Sequence, residues 1–335
     1  MPSEPLASVK MITYNQAAYL AQAIEGVLMQ KTGFPYELVI GEDCSTDGTR
    51  EIALRYAEAH PDIIRMVTSE HNVGTRANGH RTTAACRGKY IAWCEGDDYW
   101  HRDDKLQMQV EYLEAHEDCV LVHSDCDLYV AGIGTRIPSY HRFRGLTPPP
   151  APTVNGLLKG EYAIRTCTAC ARLEAVREIL KADPETHVSH TFLMGDIQLW
   201  ADLMCRGKVH YFSESLSTYR FLPESGSRSR SAVRQQEFCR SAAELRVHLA
   251  KKYKLPQHEL QKYEARLADH DLFLAFLKQD KELGRSAYTR LPKATVRQRV
   301  LYWASQTPLM NGIVKVPWLC KRRLRCKDRV LQVRF

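Results

Sequence analysis

The stretch YIAWCEGDDYW, residues 90–100, sets a short apolar run against three carboxylates, Glu95, Asp97 and Asp98, with two aromatics after them. The run reads as a strand. Three mutually repelling charges at its end are costly unless a metal ion, a basic side chain or water neutralises them. Upstream the same layout recurs. SVKMITY (8–14) reads as a strand, broken by Asn15 and Gln16, and the following AAYLAQAIEGVLMQ has Tyr19, Leu20, Ile24, Val27 and Leu28 at helical spacing. YELVIGED (36–43) is a second strand ending in acids. Ser45 or Thr46 is placed to cap a helix over 48–59, with Asp47 in its first turn. IIRMVTS (63–69) is a third strand, and a helix over 76–87 leads into KYIAWC. This alternation predicts an α/β fold with a mostly parallel sheet wound right-handedly and flanked by helices. In such sheets ligands gather beyond the carboxyl ends of the strands, so YNQ, EDCSTDGT and EGDDYW are expected to converge.

Downstream, a helix is expected over 105–116 and a strand over 119–130. Residues 131–155, with PPPAP at 148–152, read as a flexible excursion, a mobile or acceptor-facing loop. A second acidic cluster, MGDIQLWADLMCRGK (194–208), precedes a strand in HYFSESLSTYRF. SGSRSRS (225–231) is a polar linker, and residues 232–306 read as almost wholly helical. The expected organisation is a catalytic domain over 1–225, a helical extension over 226–314 and a tail over 315–335.

Bulk properties narrow the class. The chain has 335 residues, 44% hydrophobic and 26% charged, as in an ordinary soluble domain. No run approaches the length of about 18 apolar residues that a membrane span needs. MPSEPLASVK lacks the layout of a secretory leader, so a cytoplasmic location is expected. The 11 cysteines are scattered; the lone C-x-x-C at Cys167 and Cys170 has no second pair or nearby histidines, so reduced thiols are expected rather than structural zinc. The net charge of +8 is uneven, because residues 315–335 hold eight Lys/Arg against Asp328. The body is nearly neutral and nucleic-acid binding is not expected. The tail reads as a basic amphipathic helix on an anionic membrane surface, as a helix packed on the domain, or as a frayed terminus.

Each cluster carries a functional and a structural reading. EGDDYW suits Mn²⁺ or Mg²⁺, which take carboxylate oxygens and substrate phosphates; it also reads as a solvated turn. Asp43 precedes the cap residues and is left over for binding. HNVGTRANGHR (71–81) offers Arg76, Arg81 and Asn78 to a diphosphate, or is a solvated basic loop. Asp196 is either a general base or a helix cap.

Taken together, ITYNQ (12–16), EDCSTDGT (42–49), NVGTRANG (72–79), EGDDYW, GDIQLW (195–200) and RGKVHYFSESLSTYR (206–220) resemble the family 2 glycosyltransferases, over about residues 8–222. The resemblance implies a GT-A, Rossmann-like fold and inverting transfer from a nucleotide sugar, by default a UDP-sugar, to a saccharide or lipid-linked acceptor in surface polysaccharide or glycolipid synthesis. It implies that Thr13, Tyr14, Asn15 and Asp43 surround the nucleobase, and that Arg76 and Asn78 lie near the base or diphosphate. Glu95 would approach the ribose, Asp97 and Asp98 would form the metal motif with Asp98 the direct ligand, and Asp196 would be the base. Two positions depart from the family: Glu95 stands where Asp is usual, and Gly195 where an acid is usual. The competing readings are a nucleotidyltransferase, which would carry a glycine-rich phosphate loop where this chain has YNQAAYL, and an inactive nucleotide-sugar-binding scaffold.

Overall fold

The structure is a computed structural model that describes residues 4–189, 191–225 and 228–314. Its strands are β1 (Ala7–Thr13), β2 (Tyr36–Glu42), β3 (Ile64–Val67), β4 (Tyr90–Trp93), β5 (Tyr99–Trp100), β6 (Cys119–Val130), β7 (Thr135–Ile137), β8 (Cys170–Arg172) and β9 (Lys208–Phe221). The helices of the first half are α1 (Ala17–Leu28), α2 (Thr49–Ala59), α3 (Thr75–Ala85) and α4 (Lys105–Ala115). Then come α5 (Tyr140–Phe143), α6 (Val154–Lys159), α7 (Leu173–Ala182), α8 (Pro184–His187) and α9 (Ile197–Met204). Last are α10 (Ala232–Lys252), α11 (Gln257–Lys278), α12 (Lys281–Thr289) and α13 (Val296–Gln306). The chain divides into two compact units. One comprises residues up to Tyr129, Thr135–Thr191 and Gly195–Phe221; the other comprises Val130–Gly134, Phe192–Met194 and the chain from Leu222 onward.

The sheet runs β3-β2-β1-β4-β8-β6-β9-β5, with β7 on β6. The β3–β2, β2–β1 and β1–β4 pairings are parallel, as the strand–helix alternation requires. The β4–β8, β8–β6 and β9–β5 pairings are antiparallel, so the parallel order of the first four strands does not extend across the sheet. Beyond residue 95 the helices no longer alternate regularly with the strands, and no right-handed crossover is imposed on their pairing.

Apolar residues of β1, β2 and β4 meet those of α1 and α4 in a dry core: Val9, Met11, Leu38, Ile40, Leu20, Ile24, Leu106 and Val110 are fully buried. Burial of that kind contributes about 25 cal/mol per Å² of apolar surface. Gly26 lets α1 cross β5, since a Cβ there would stand 2.7 Å from the Trp100 carbonyl oxygen. Trp100 is buried, donates its indole N–H to Cys167 O at 3.1 Å and carries the Lys105 ammonium 3.9 Å from its ring centroid.

The stretch 131–155, expected to be a flexible excursion, contains β7, α5 and the start of α6. Buried carboxylates hold it: Asp127 accepts from Arg136 and from the Ser139 N–H, and Asp125 from the N–H groups of His141 and Arg142. In the second unit, Leu272, Phe276, Ala287, Leu301 and Ala304 form a separate apolar core. There the buried Asp271 pairs with both Arg240 and Arg290. All nine described cysteines are free thiols. No described helix is long and apolar enough to cross a membrane. Residues 315–335, read above as an amphipathic tail, lie outside the described residues.

Candidate active site

β1 lies between β2 and β4, and both pairings are parallel, so the three strands end at one edge. The chain leaving β4 stays beside β1, with the Gly96 N–H donating to Ile12 O at 3.1 Å. A Cβ on Gly96 would stand 2.6 Å from Gln16 Oε1 and 2.8 Å from Thr13 Oγ1, so the EGDD turn passes the YNQ loop at a distance only glycine allows. Thr13 is buried and donates from Oγ1 to Gln16 Oε1 at 2.8 Å, while Tyr14 is 45% exposed at the strand end. Asn15 takes a left-handed backbone, φ 52°, which asparagine tolerates better than other side chains. Its side-chain oxygen accepts from the Thr46 N–H at 2.9 Å, and its own N–H donates to Ser45 Oγ.

The caps differ from the expectation. α2 begins at Thr49 after a left-handed Gly48, and neither Ser45 nor Thr46 caps it. Instead Asp47 Oδ2 and Thr49 Oγ1 accept from the N–H groups of Ala17 and Gln16, the open donors at the start of α1. The loop after β2 thus satisfies the helix after β1, which ties two of the three clusters together.

Asp43 is 2% exposed, and both of its oxygens are engaged. Oδ1 accepts from Val73 N and Oδ2 from Gly74 N, each at 2.9 Å, and Arg81 lies 3.8 Å away. Asn78 is buried beneath the same edge, donating to Gly41 O at 2.8 Å and accepting from Arg81. Gly41 is required there, because a Cβ would overlap Thr82 and Asn78. Arg76 donates to the carbonyls of Thr186 and His187 at the end of α8. Burial lowers its pKa, and the Asp196 charge opposes that shift.

At the β4 edge the acids are differently provided for. Asp98 is 4% exposed and accepts at Oδ1 from the Arg220 N–H at 2.8 Å. Burial, then the charges of Asp97 and Glu95, push its carboxyl well above the ordinary range. Glu95 has Oε2 buried with no hydrogen-bond partner; burial and then Asp97 push its pKa up to about 8. A hard divalent cation fits this set, since it would neutralise acidic oxygens that protein donors leave under-satisfied. Asp196 caps α9, accepting from Ile197 N at 2.8 Å. The Trp93–Trp200 edge contact, 5.1 Å between centroids, docks α9 on β4. From there the Asp196 charge acts on Glu95, Arg76 and Arg165. A Cβ on Gly195 would meet no atom within 4 Å, so the missing acid is not excluded by space.

Two residues escaped the sequence reading. Arg220 donates from Nε to Asp97 O at 2.7 Å and from Nη2 to Gln22, and its guanidinium lies 4.7 Å from the Tyr19 ring centroid and 5.3 Å from that of Tyr99. Lys10 lies beneath the edge. Burial lowers its pKa, while Cys86 and Glu95 pull the other way. The available signal was a lysine inside an otherwise apolar strand.

A sequence profile described as glycosyl transferase family 2 matches residues 8–180. The chain belongs to that family. Among curated proteins, it is 28% identical over 223 residues to the putative teichuronic acid biosynthesis glycosyltransferase TuaG of Bacillus subtilis, covering 66% of this chain and 81% of TuaG. It is 41% identical over 126 residues to an uncharacterised protein of Mycobacterium tuberculosis, and that match spans 37% of this family 2 chain and 36% of the relative. Among solved structures, S. aureus TarS with UDP-GlcNAc is similar with a TM-score of 0.54 at 17% identity, over 89% of this chain and 79% of that one. A mannosyltransferase of Pyrobaculum calidifontis, solved with GDP-Man and Mn²⁺, gives 0.53 at 16%, over 98% and 86%. At these identities the likeness is one of fold, and it is the GT-A fold.

Proposed function

We propose that this glycosyltransferase is a metal-dependent, inverting enzyme that moves a sugar from a nucleotide diphosphate sugar to an acceptor hydroxyl. The observation that carries the reading is the meeting of the buried Glu95 and Asp98 carboxylates, both with raised pKa, with the Asp196 cap at the carboxyl edge of β1, β2 and β4. Asp98 and Asp97 would hold Mn²⁺ or Mg²⁺. When bound, that ion supplies Lewis-acid stabilisation of the departing diphosphate. Tyr14, exposed beside the Thr13–Asn15 loop, offers its ring to the nucleobase, with Asp43 shaping the wall behind it. Glu95 reaches toward the ribose. Asn78 and Arg76 fix the neighbouring loop, Asn78 from beneath and Arg76 from the α8 side.

Inversion requires attack from the face opposite the leaving group. Asp196 removes the acceptor proton as its oxygen bonds to the anomeric carbon. A UDP-sugar is proposed as donor, in keeping with UDP-GlcNAc in TarS; the GDP-Man of the Pyrobaculum enzyme marks the alternative base. The teichuronic acid role named for TuaG supports a saccharide or lipid-linked acceptor in surface polysaccharide synthesis. In the Asp196→Asn variant, transfer falls by about 10²–10⁴-fold while donor binding by calorimetry persists. Near-normal turnover would remove Asp196 from the mechanism.

The division of labour proposed is catalysis by 1–225, support by the helical extension 226–314, and attachment by 315–335 to an anionic membrane on the cytoplasmic face. Trp303, Leu309 and Ile313, each more than half exposed just ahead of the basic run, support the last element. Co-sedimentation with anionic liposomes drops on removal of 315–335; equal binding by both forms would exclude the anchor.

A further inference from the structure

β6 is buried along almost its whole length, yet it reads VHSDCD between Val122 and Asp127. An imidazole, a thiol and carboxylates inside a dry sheet are unfavourable unless each finds a partner. Asp125 finds some: Oδ1 accepts from Cys126 N at 2.7 Å and His141 N at 2.8 Å, and Oδ2 from Arg142 N at 3.2 Å. These bonds fold α5 onto the strand and bring the His141 imidazole beside it. His141 Nε2 then lies 3.8 Å from Cys126 Sγ, and Nδ1 lies 3.9 Å from Asp125 Oδ1 without a hydrogen bond. One donor atom from each of the three residues falls within 4.8 Å of the others, and all three residues are fully buried. His123, also fully buried, has no hydrogen-bond partner on either nitrogen and packs its ring 5.0 Å from that of Tyr211, whose buried hydroxyl faces Asp125.

We propose that Asp125, Cys126 and His141 hold a zinc ion, a site separate from the EGDD edge. The donor set decides the metal. Thiolate, imidazole and carboxylate together suit borderline-soft Zn²⁺, whereas Mg²⁺ and Mn²⁺ favour all-oxygen sites. The spacing agrees: tetrahedral zinc with Zn–S near 2.3 Å and Zn–N near 2.1 Å sets sulfur and nitrogen about 3.6 Å apart, close to the 3.8 Å between Cys126 and His141. Zinc binding forms the Zn–S bond and releases the Cys126 thiol proton to solvent. The thiolate and the Asp125 carboxylate then balance the ion's two charges. His123, two residues before Asp125 on β6 and buried with both nitrogens unbonded, is the candidate fourth ligand. The ion would lock α5 and β7 to β6, where the chain was expected to be loose.

The test is metal analysis of the full chain purified without chelator, in wild type and in Asp98→Asn, which removes the other proposed ligand set. One zinc per chain is expected in both, and its loss in Cys126→Ala and in His141→Gln. Because those variants can fail to fold, wild-type protein stripped of metal is also titrated with Co²⁺. An intense tetrahedral visible spectrum with a thiolate-to-cobalt charge-transfer band is expected. Absence of zinc together with absence of that band overturns the proposal, leaving Cys126 and His141 as a plain S–H···N pair. Full zinc retention in a folded Cys126→Ala protein also overturns it.

Discussion

Asp43 and Asp98 stand at comparable places, just beyond β2 and β4, at one edge of the same parallel sheet, and both are nearly buried. Their surroundings are opposite. Each oxygen of Asp43 accepts a backbone N–H from the 73–74 turn, and Arg81 stands close by. Asp98 accepts one backbone N–H, from Arg220, with the Cys167 thiol as its other donor, while Asp97 and Glu95 add like charge and Glu95 Oε2 has no hydrogen-bond partner. The first carboxylate is complete as it stands and serves to clamp a loop. The second set carries more negative charge than its donors offset, which is the condition under which a cation would be taken up. Position at a strand end therefore does not by itself make an acid a ligand; the balance of donors and neighbouring charge does.

That contrast can be broken by experiment. The largest effect is expected at the β4 edge. Asp98→Asn should lower transfer by about 10²–10³-fold or more, as for removal of a group that stabilises transition-state charge. It should also erase the Mn²⁺ dependence of nucleotide binding, read by calorimetry with and without the ion; an unchanged titration would defeat the metal assignment. At the β2 edge the same change should act on stability first. Asp43→Asn leaves one of two backbone donors without its acceptor, at a cost of about 1–3 kcal/mol. Denaturant unfolding should show this, with the donor KM raised more than kcat is lowered. A kcat loss as deep as that of Asp98→Asn, with unchanged stability, would erase the distinction between the two acids. The smallest effect is expected at Gly195. Its site is open, so Gly195→Asp should change stability by less than about 0.5 kcal/mol. Turnover should stay within a few-fold of wild type if Asp196 is a sufficient base alone. A rise of more than tenfold would show that the missing acid limits this enzyme.

Much of the first unit was legible from local pattern. Apart from β5, the strands and helices from residue 7 to residue 115 fall within a few residues of where periodicity and turn residues put them, because apolar spacing and punctuation act over one or two turns of chain. The helical character of residues 232–306 was legible for the same reason, and the structure divides it into α10, α11, α12 and α13. The caps were not. Ser45 and Asp47 carry the chemistry of a helix start, and Asp47 Oδ1 does accept from Thr49 N at the start of α2. Yet its Oδ2 serves Ala17 N of α1 and Ser45 Oγ serves Asn15 N just ahead of α1, both some thirty residues upstream. The antiparallel half of the sheet was equally hidden, since short strands such as β5 and β8 carry too few residues to show a period.

What the sequence by itself determined is the alternation of strand and helix, and with it the gathering of YNQ, EDCSTDGT and EGDDYW at one sheet edge. Both follow from local periodicity and from the handedness of parallel crossovers. Tertiary structure alone decided what each polar group does there. It brought Arg220 to Asp98 across 122 positions of sequence, turned Asp43 inward onto the 73–74 turn, and set His141 against Asp125 and Cys126. The physical reason is that a carboxylate, imidazole or thiol takes its role from the donors and charges within a few ångströms, and no spacing along the chain records which distant residues those will be.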